Sequence, residues 1–516
     1  MCNSRTLVVG LDGSTTATKA IAWTLDGAAA GTGRSPIPLS NPAHNQYEQN
    51  PEDWWRSASE ALRHLTSQID PAAIAAIAIA NQRETFAPLA ANGAAVRAAI
   101  VWLDQRCHDE IAWLTERVGG AQRMHQLTGK PADLAPVAYR IAWMLRHEPE
   151  LFRRTAIFAD VHGYLAWKLS GNLQTSWASA DPLGLFDMER HEWSSTVLVA
   201  LDLKPEQLPE PVRPGTVIGA VTDCAAKQTG LRPGTLVVAG GGDGQAAGLG
   251  VNALGGGRAY LNLGTAVVGG IYSPEYHIGN AWRTMGSLTG DGYYFETSLR
   301  AGAFLIDWFT REVCQADSDA QTLLAQLERE AAVLPIGSDG LLALPYWGAV
   351  MTPYWDSHAR GCWIGLSASH RRGHLYRSLL EGIALEQALV TGMIEAANAI
   401  TVNDYIAIGG GAASHLWCRI LADVTNKRIR RSQTLEASSL GAAICAAVGA
   451  GLYRNATEAA ASMADSALHD IEPVAENRDR YADLLATYRE LYSSLRVTFA
   501  NLAAFRAGAA AQCGGQ

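Results

Sequence analysis

Short apolar runs that end in glycine turns alternate along this chain with longer stretches at helical spacing. Leu7 to Leu25, LVVGLDGSTTATKAIAWTL, predicts strand, turn, strand, with Asp12-Gly13-Ser14-Thr15-Thr16 as a turn of small hydroxylated residues. Asn50-Pro51 predicts a helix start, and Trp54, Ala58, Ala61, Leu62, Leu65 and Ile69 follow at helical spacing. Ile74 to Ala80 reads as a buried strand delivering Asn81-Gln82-Arg83-Glu84-Thr85. An adjacent strand, Ala98 to Trp102, delivers Trp102-Leu103-Asp104-Gln105-Arg106. Ala138 to Leu145 and Phe158 to Leu165 read as helical. Leu236 to Ala239 is a strand that meets three glycines, then Asp243, then a helix of small residues. Arg258 to Ser273 repeats the pattern of strand, Gly-Thr turn and strand. Leu379 to Ala399 predicts a long helix, and Asp404 to Ile408 a strand opening into Gly409-Gly410-Gly411-Ala412-Ala413-Ser414 ahead of another helix.

A length of 516 residues predicts two or more domains, because single cores stop growing at about 250–300 residues. Gly13-Ser14-Thr15 near the start is echoed by Gly264-Thr265 past the middle, which suggests a duplicated architecture with a cleft between its halves. Gly255-Gly256-Gly257 is the linker candidate. The expected division is therefore residues 1–254, residues 255–500 and a disordered tail over 501–516.

Composition narrows the partners. A net charge of −9 without a basic block argues against nucleic acid. No run of about 18 apolar residues predicts a membrane span. The eight cysteines are scattered with no C-x-x-C pair, which favours free thiols in a reducing compartment. The N-terminus enters a strand at once, unlike a signal peptide, and a cytoplasmic protein is expected.

Asp243, at the mouth of a glycine turn, can serve as a general base toward a substrate hydroxyl, or simply as a helix N-cap. Gly242 to Ala247 fits G-x-G-x-x-A, but no acid stands near Leu263, where a dinucleotide site needs one. No G-x-x-x-x-G-K-[ST] exists, which removes a P-loop NTPase. The first hairpin turn can wrap phosphates, and Asp12 can hold Mg²⁺ directly or through water; an ordinary hairpin is the alternative. The Gln, Arg, Glu, Trp and Asp at the two strand ends suit a polyhydroxy ligand, or equally a surface ion-pair cluster. The turn at Gly409 to Gly411 can hold a nucleotide by backbone contact, or be close packing alone.

The order of DGSTTATKA, QYEQNPEDWW, NQRE, WLDQR, GGGDG, LNLGT, RGCWIGL with HLYRSLLEGI, and IGGGAASHLW over residues 6 to 495 resembles the FGGY family of carbohydrate kinases. In APVAYRIAWML, Arg140 stands where that family usually has Lys. The resemblance implies an actin-like (ribonuclease H-like) α/β fold, duplicated into two domains around an ATP cleft. It implies ATP and Mg²⁺, the metal near Asp12 and Asp243, and Asp243 as catalytic base. It places sugar contacts at Gln82, Arg83, Glu84, Trp102, Asp104 and Asp243. Nucleotide contacts fall at Gly13, Ser14, Thr15, Thr16, Lys19, Gly264, Thr265, Gly410, Gly411 and Ala412. The partner is a small sugar, with neither nucleic acid nor membrane; a homodimer is common in such kinases.

GGGDG, LNLGT and WLDQR are similar to xylulokinases, whereas Arg83-Glu84 and Trp102 are similar to glycerol kinases. The expected activity is phosphorylation of a pentulose, D-xylulose to D-xylulose 5-phosphate, with a polyol such as glycerol as the alternative acceptor. An actin-like ATPase without a sugar site and a sugar-binding regulator are the other classes. The polar strand ends and the presence of Asp243 argue against them.

Overall fold

The computed structural model describes residues 6–315, 320–464 and 469–513. Two sheets organise it. The first has six strands in the order Val217–Ala220, Leu236–Gly242, Ile74–Asn81, Leu7–Gly13, Ala17–Thr24, Ala29–Pro36. Leu7–Gly13 turns back as a hairpin into Ala17–Thr24, with Asp12 opposite Lys19. It runs parallel to Ile74–Asn81, which in turn runs parallel to Leu236–Gly242. The register sets Gly13, Asn81 and Gly242 side by side at one edge. Ligands of open α/β sheets bind at the carboxyl ends of such strands.

The second sheet repeats the plan. Its seven strands lie in the order Arg283–Gly286, Tyr293–Leu299, Val267–Ser273, Arg258–Leu263, Asp404–Ile408, Arg428–Arg431, His469–Ile471. Arg258–Leu263 forms a hairpin with Val267–Ser273 and pairs in parallel with Asp404–Ile408. Asn262 stands opposite Ile408, so the second hairpin turn and Gly409 share one edge. The echo between Gly13-Ser14-Thr15 and Gly264-Thr265 is thus a repeat of topology.

The apolar positions expected as core at helical spacing are core except Ile69, which lies beyond the helix end at Thr66 and is half-buried against the same cluster. Trp54, Ala58, Ala61, Leu62 and Leu65 of the helix Pro51–Thr66 pack under the first sheet, and Asn50 caps that helix by accepting from the Glu52 amide. A larger cluster gathers Leu261, Phe295, Leu380, Tyr405 and Leu421 around the second sheet. The two halves are not cleanly divided, however. The helix Ala437–Gly449 packs on the first sheet, where Leu440, Ile444 and Cys445 join Val8, Ile21 and Val238 in one cluster. It crosses the helix Asp243–Gly250 at backbone contact. A Cβ on Gly441 would stand 1.9 Å from the Ala246 carbonyl oxygen, and one on Gly250 would stand 2.0 Å from that of Ala437.

Several sequence expectations are corrected. Ala99–Ile100 is a two-residue strand of a separate four-stranded sheet with Glu48–Gln49, Phe86–Leu89 and Ile157–Asp160, so the two polar strand ends belong to different sheets. Phe158 to Leu165 is not one helix: Ile157–Asp160 is a strand and Val161–Ser170 a helix. The tail is not wholly without structure. The helix Arg478–Cys513 runs through most of 501–516, and residues 514–516 lie outside the described residues. Cys107, Cys224, Cys314, Cys362, Cys418 and Cys445 are free thiols; the side chains of Cys2 and Cys513 lie outside the described residues. Among the described residues, no helix is long and apolar enough to cross a membrane.

Candidate active site

Leu236–Gly242 ends at the sheet edge and passes directly into the helix Asp243–Gly250. Gly242 takes the cap position, with no side-chain cap, so Asp243 is the first helical residue and not the N-cap. Its Oδ1 accepts from the Gly244 amide at 2.8 Å and lies 3.0 Å from Arg83 Nε. The side chain is 42% exposed, so one side of it is open. Burial of the surrounding site raises its carboxyl above the ordinary carboxylate range. Arg83 opposes that rise, and Glu84 and Glu296 add to it. A carboxylate of raised basicity, oriented and open on one side, is suited to receive a proton.

Arg83 does not serve Asp243 alone. Its Nη1 donates to Glu296 Oε2 at 2.7 Å, and Glu296 is fully buried. Arg283 Nη2 donates to Glu296 Oε1 at 2.5 Å, and Arg283 Nη1 to Glu84 Oε1 at 2.8 Å. The result is a chain of alternating charge, Asp243, Arg83, Glu296, Arg283, Glu84. Its members come from both sheets: Arg83 and Glu84 follow Ile74–Asn81, whereas Arg283 and Glu296 stand on Arg283–Gly286 and Tyr293–Leu299. Against the cost of its burial, Arg83 and Arg283 hold Glu296 down to about 2. Beneath this chain Gln245 donates to Asp181 at 3.2 Å, and Lys130 Nζ lies 3.6 Å from the same carboxylate. Burial pushes Lys130 down to about 8.

Sequence reasoning missed Glu296, Arg283, Gln245, Asp181 and Lys130 as site residues. One signal was available: Glu296 is the lone acid in Tyr293–Leu299, a strand buried on both faces, and a charge there requires a partner.

The other expected sugar-side residues divide. Trp102 is 45% exposed, and its Nε1 donates to Thr15 Oγ1 at 2.8 Å, so its ring stands in the cleft beside the first hairpin turn. Gln82 is buried. Its Nε2 donates to Gln49 at 2.9 Å, and its Oε1 has no hydrogen-bond partner. Asp104 departs from expectation: its carboxylate accepts from the Tyr47 amide and from Arg106, both at 2.7 Å, and holds a loop instead of facing a ligand. Arg140, fully buried, donates to the carbonyl oxygens of Glu84 (2.5 Å), Ala135 (2.6 Å), Leu134 (3.4 Å), Trp102 (3.5 Å) and Asp104 (3.5 Å). It gathers three segments from different parts of the first half behind the two polar strand ends.

The first hairpin turn shares the sheet edge that leads into Asp243, and the second stands at the matching edge of the other sheet. Ser14 folds back on the Ala17 carbonyl through its amide and hydroxyl, Thr15 is half-buried against Trp102, and Thr16 is exposed. In the second turn the Gly264 and Thr265 carbonyls accept from the Ala303 and Gly302 amides, and Thr265 is exposed. Gly409 takes φ 82°, which only glycine adopts freely, and opens the 3-10 turn Gly410–Ala413 on the same sheet edge. Lys19 is not free: its Nζ pairs with Glu436 at 2.7 Å, linking the first hairpin to the second half. Asp12 Oδ1 is buried without a hydrogen-bond partner. Burial and the nearby Asp243 push this carboxyl up to about 7, with Lys19 opposing. An unspent carboxylate oxygen of this kind fits a Mg²⁺ ion that keeps most of its waters. Among the described residues no group of three or more His, Cys, Asp or Glu could hold a metal alone, so phosphate oxygens would have to complete such a site.

A sheet-and-hairpin plan used twice is the two-domain organisation of the actin-like fold. Family comparison gives the class its name. The N-terminal domain of the FGGY family of carbohydrate kinases matches residues 7–250 and its C-terminal domain residues 259–450. The chain belongs to that family and is a sugar kinase. The xylulose kinase of Bacillus subtilis (strain 168) is 28% identical over 509 residues, covering 97% of this chain and 99% of that one. The crystal structure of xylulose kinase from Rhodospirillum rubrum superposes with a TM-score of 0.87 at 27% identity, over 96% of this chain and 99% of that one. That of gluconate kinase from Lactobacillus acidophilus, at 24% identity, shares the fold with a TM-score of 0.90, over 96% of this chain and 99% of that one.

Proposed function

We propose that this protein transfers the γ-phosphoryl group of ATP to a terminal hydroxyl of a small sugar, with a ketopentose such as D-xylulose as the first candidate. The observation that carries the reading is the carboxyl of Asp243, raised in basicity, oriented by Arg83 and partly exposed at the sheet edge that also carries the first hairpin turn. Gly244 and Arg83 both engage Oδ1, which orients the group and leaves Oδ2 to receive the hydroxyl proton. As that proton moves to Asp243, the sugar oxygen bonds to phosphorus, the bond to the bridging oxygen breaks, and ADP departs with the electron pair. Mg²⁺, with Asp12 as its protein contact, would supply charge neutralisation on the phosphates.

In this reading the backbone amides and hydroxyls of Gly13 to Thr16 and of Gly264-Thr265 grip the phosphates. Gly410, Gly411 and Ala412 lie against the nucleoside, and Lys19 acts by tying the first turn to Glu436. Gln82, Arg83, Glu84 and Trp102 bind the sugar, while Asp104 acts at one remove through its loop. Residues 1–254 and 255–500 act as the two closing halves, and closure excludes water from the transfer. Arg83-Glu84 beside the open ring of Trp102 supports a second reading, a short polyol such as glycerol as acceptor.

The test is ADP release with Mg²⁺-ATP across D-xylulose, L-xylulose, D-ribulose, L-ribulose, glycerol, erythritol and D-gluconate, in the parent and in Asp243→Asn. Loss of the base should cost roughly 10²–10⁴-fold in turnover while ATP still binds. Ordinary turnover in Asp243→Asn would remove Asp243 from the chemistry. A preference for glycerol would replace the ketopentose reading with the polyol one.

A further inference from the structure

The strand that delivers Asp243 does not run straight to its end. Val238 stands opposite Ala78 and Gly241 opposite Ala80, so Ala239 and Gly240 share the single place opposite Ile79. This is a β-bulge, a feature uncommon between parallel strands, and it redirects the chain beyond it. Gly242 is thereby brought level with Asn81, and Asp243 leaves the strand where it meets Arg83. The bulge is tight: a Cβ on Gly240 would stand 2.1 Å from the Ile79 carbonyl oxygen.

Peptide groups at a bulge fall out of the ladder and need partners elsewhere. Ala239 finds them in backbone: its amide donates to the Thr216 carbonyl at 2.9 Å, and its carbonyl accepts from the Gly215 amide at 2.8 Å. Gly240 finds them in side chains. Its amide donates to His162 Nε2 at 3.2 Å, and its carbonyl accepts from Ser176 Oγ at 2.6 Å. His162 lies on the helix Val161–Ser170 and Ser176 ends the strand Gln174–Ser176, and both are fully buried. An Nε2 that accepts leaves the ring proton on Nδ1. Nδ1 faces Thr175 Oγ1 at 3.5 Å, and the Thr175 hydroxyl donates to Asp160 Oδ2 at 2.8 Å. Burial lowers His162 to about 3, so the ring stays neutral and Nε2 remains an acceptor.

We propose that His162 is a positioning residue for Asp243: by holding the Gly240 amide it fixes the bulge from which the base emerges. Ser176 holds the other side of the same residue, and Thr175 with Asp160 sets the tautomer. The proposal rests on Asp243 as the base in the reading above. Without the lock the strand is free to slide back by one place. That slip would bring Gly241 level with Asn81 and exchange the two faces of the strand end, turning Asp243 away from Arg83.

The test uses the full chain and the acceptor of the panel that turns over fastest. His162→Phe, His162→Gln and Thr175→Val are each made in the parent and in Asp243→Asn. His162→Phe keeps a ring but offers Gly240 no acceptor. It should lose about ten-fold or more in kcat, with the KM values for sugar and ATP little changed. In His162→Gln the amide oxygen can accept from Gly240 while the nitrogen donates to Thr175, so most of the loss should be recovered. Thr175→Val keeps the branched shape and removes the hydroxyl. It should show the same split in smaller measure, and it carries the test if His162→Phe does not fold. In the Asp243→Asn background none of these changes should lower kcat further, because no base is left to place. Equal losses in both backgrounds, or a loss that falls on KM, would make His162 a support of the fold alone and overturn the proposal, as would an unchanged kcat in His162→Phe. Ordinary turnover in Asp243→Asn refutes instead the base on which the proposal rests. Amide hydrogen exchange over Leu236–Gly242 needs no turnover. Faster exchange in His162→Phe, reversed in His162→Gln, supports the lock even if nothing in the panel is phosphorylated, and equal exchange overturns it.

Discussion

Arg83 holds Asp243 with one nitrogen and Glu296 with another, at 3.0 Å and 2.7 Å. The candidate base in the first half is thereby joined to a buried carboxylate in the second. Glu296 also neutralises Arg283, so its loss would leave two buried guanidinium groups beside each other. Removing one partner of a buried charge cluster costs about 3–5 kcal/mol, because the remaining charge has no solvent. Glu296→Ala should therefore lower the thermal midpoint sharply. Glu296→Gln, which keeps an acceptor oxygen, should fold, with a raised KM for the sugar as Arg83 loses its pose. Thermal denaturation together with sugar and ATP kinetics distinguishes these outcomes. A Glu296→Ala protein as stable as the parent would mean that the cluster does not hold the site.

Arg140 is the residue whose identity most affects the sugar side without reaching the cleft. Five backbone carbonyls converge on it, and its charge is disfavoured by burial. A lysine brings three donors where the guanidinium fork brings five. Arg140→Lys would strand at least two carbonyls, at about 1–3 kcal/mol for each one left buried and unpaired. Glu84 and Trp102 would lose register first. The expected outcome is a KM for the sugar raised several-fold with the KM for ATP little changed, read from steady-state kinetics. Equal effects on both would point to general loosening of the first half.

These two residues also mark where the sequence was legible. Both hairpins and the Asp243 turn could be read because their signals are local: glycine and hydroxylated residues interrupt apolar runs, and the backbone there needs those residues. Arg83 and Glu296 lie 213 residues apart, and no periodicity announces that they meet. The apolar run from Phe158 suits strand and helix alike, and the switch at Val161 is set by pairing with Phe86–Leu89. Asp104 has the right chemistry for a sugar contact, but Arg106, two residues on, bends back onto it. The two halves share a core because Ala437–Gly449 carries small residues that fit the first sheet, a preference invisible until the partner surface exists.

Glu386 provides a pH test away from the cleft. It is buried in the helix Arg372–Asn398, accepts from Tyr346 at 2.9 Å and from Tyr488 at 2.6 Å through Oε2, and leaves Oε1 unpartnered. Burial pushes it up to about 7, and the two tyrosines only partly oppose this. A carboxyl whose folded pKa is raised contributes stability that is fully present below its unfolded value, near 4.5, and is lost as pH rises through 7. Glu386→Gln removes the titration. Parent and variant should differ least near pH 5, and the variant should gain on the parent between about pH 5 and 7, with little further change above that. Thermal midpoints across that range provide the check, and a constant gap would mean that Glu386 does not titrate there.

The helix that begins with Asp243 is positioned by backbone contact. Gly441 meets the Ala246 carbonyl, where an added Cβ would lie 1.9 Å from the oxygen, and Ser438 Oγ donates to the Asp243 carbonyl at 3.0 Å. Backbone cannot yield as a flexible side chain does, so Gly441→Ala must shift one helix against the other. Overpacking of this kind costs about 1–3 kcal/mol. A displacement of about 1 Å at a reacting group can cost on the order of 10²-fold in rate. The variant should lose at least about ten-fold in kcat, more than its loss of stability alone explains. Gly392→Ala is the matched control. It lies in the helix Arg372–Asn398 with open space where the Cβ would go, so alanine there should stabilise by about 0.5–1 kcal/mol and leave turnover alone. If Gly441→Ala behaves like Gly392→Ala, the crossing of the two helices is not what sets the position of Asp243.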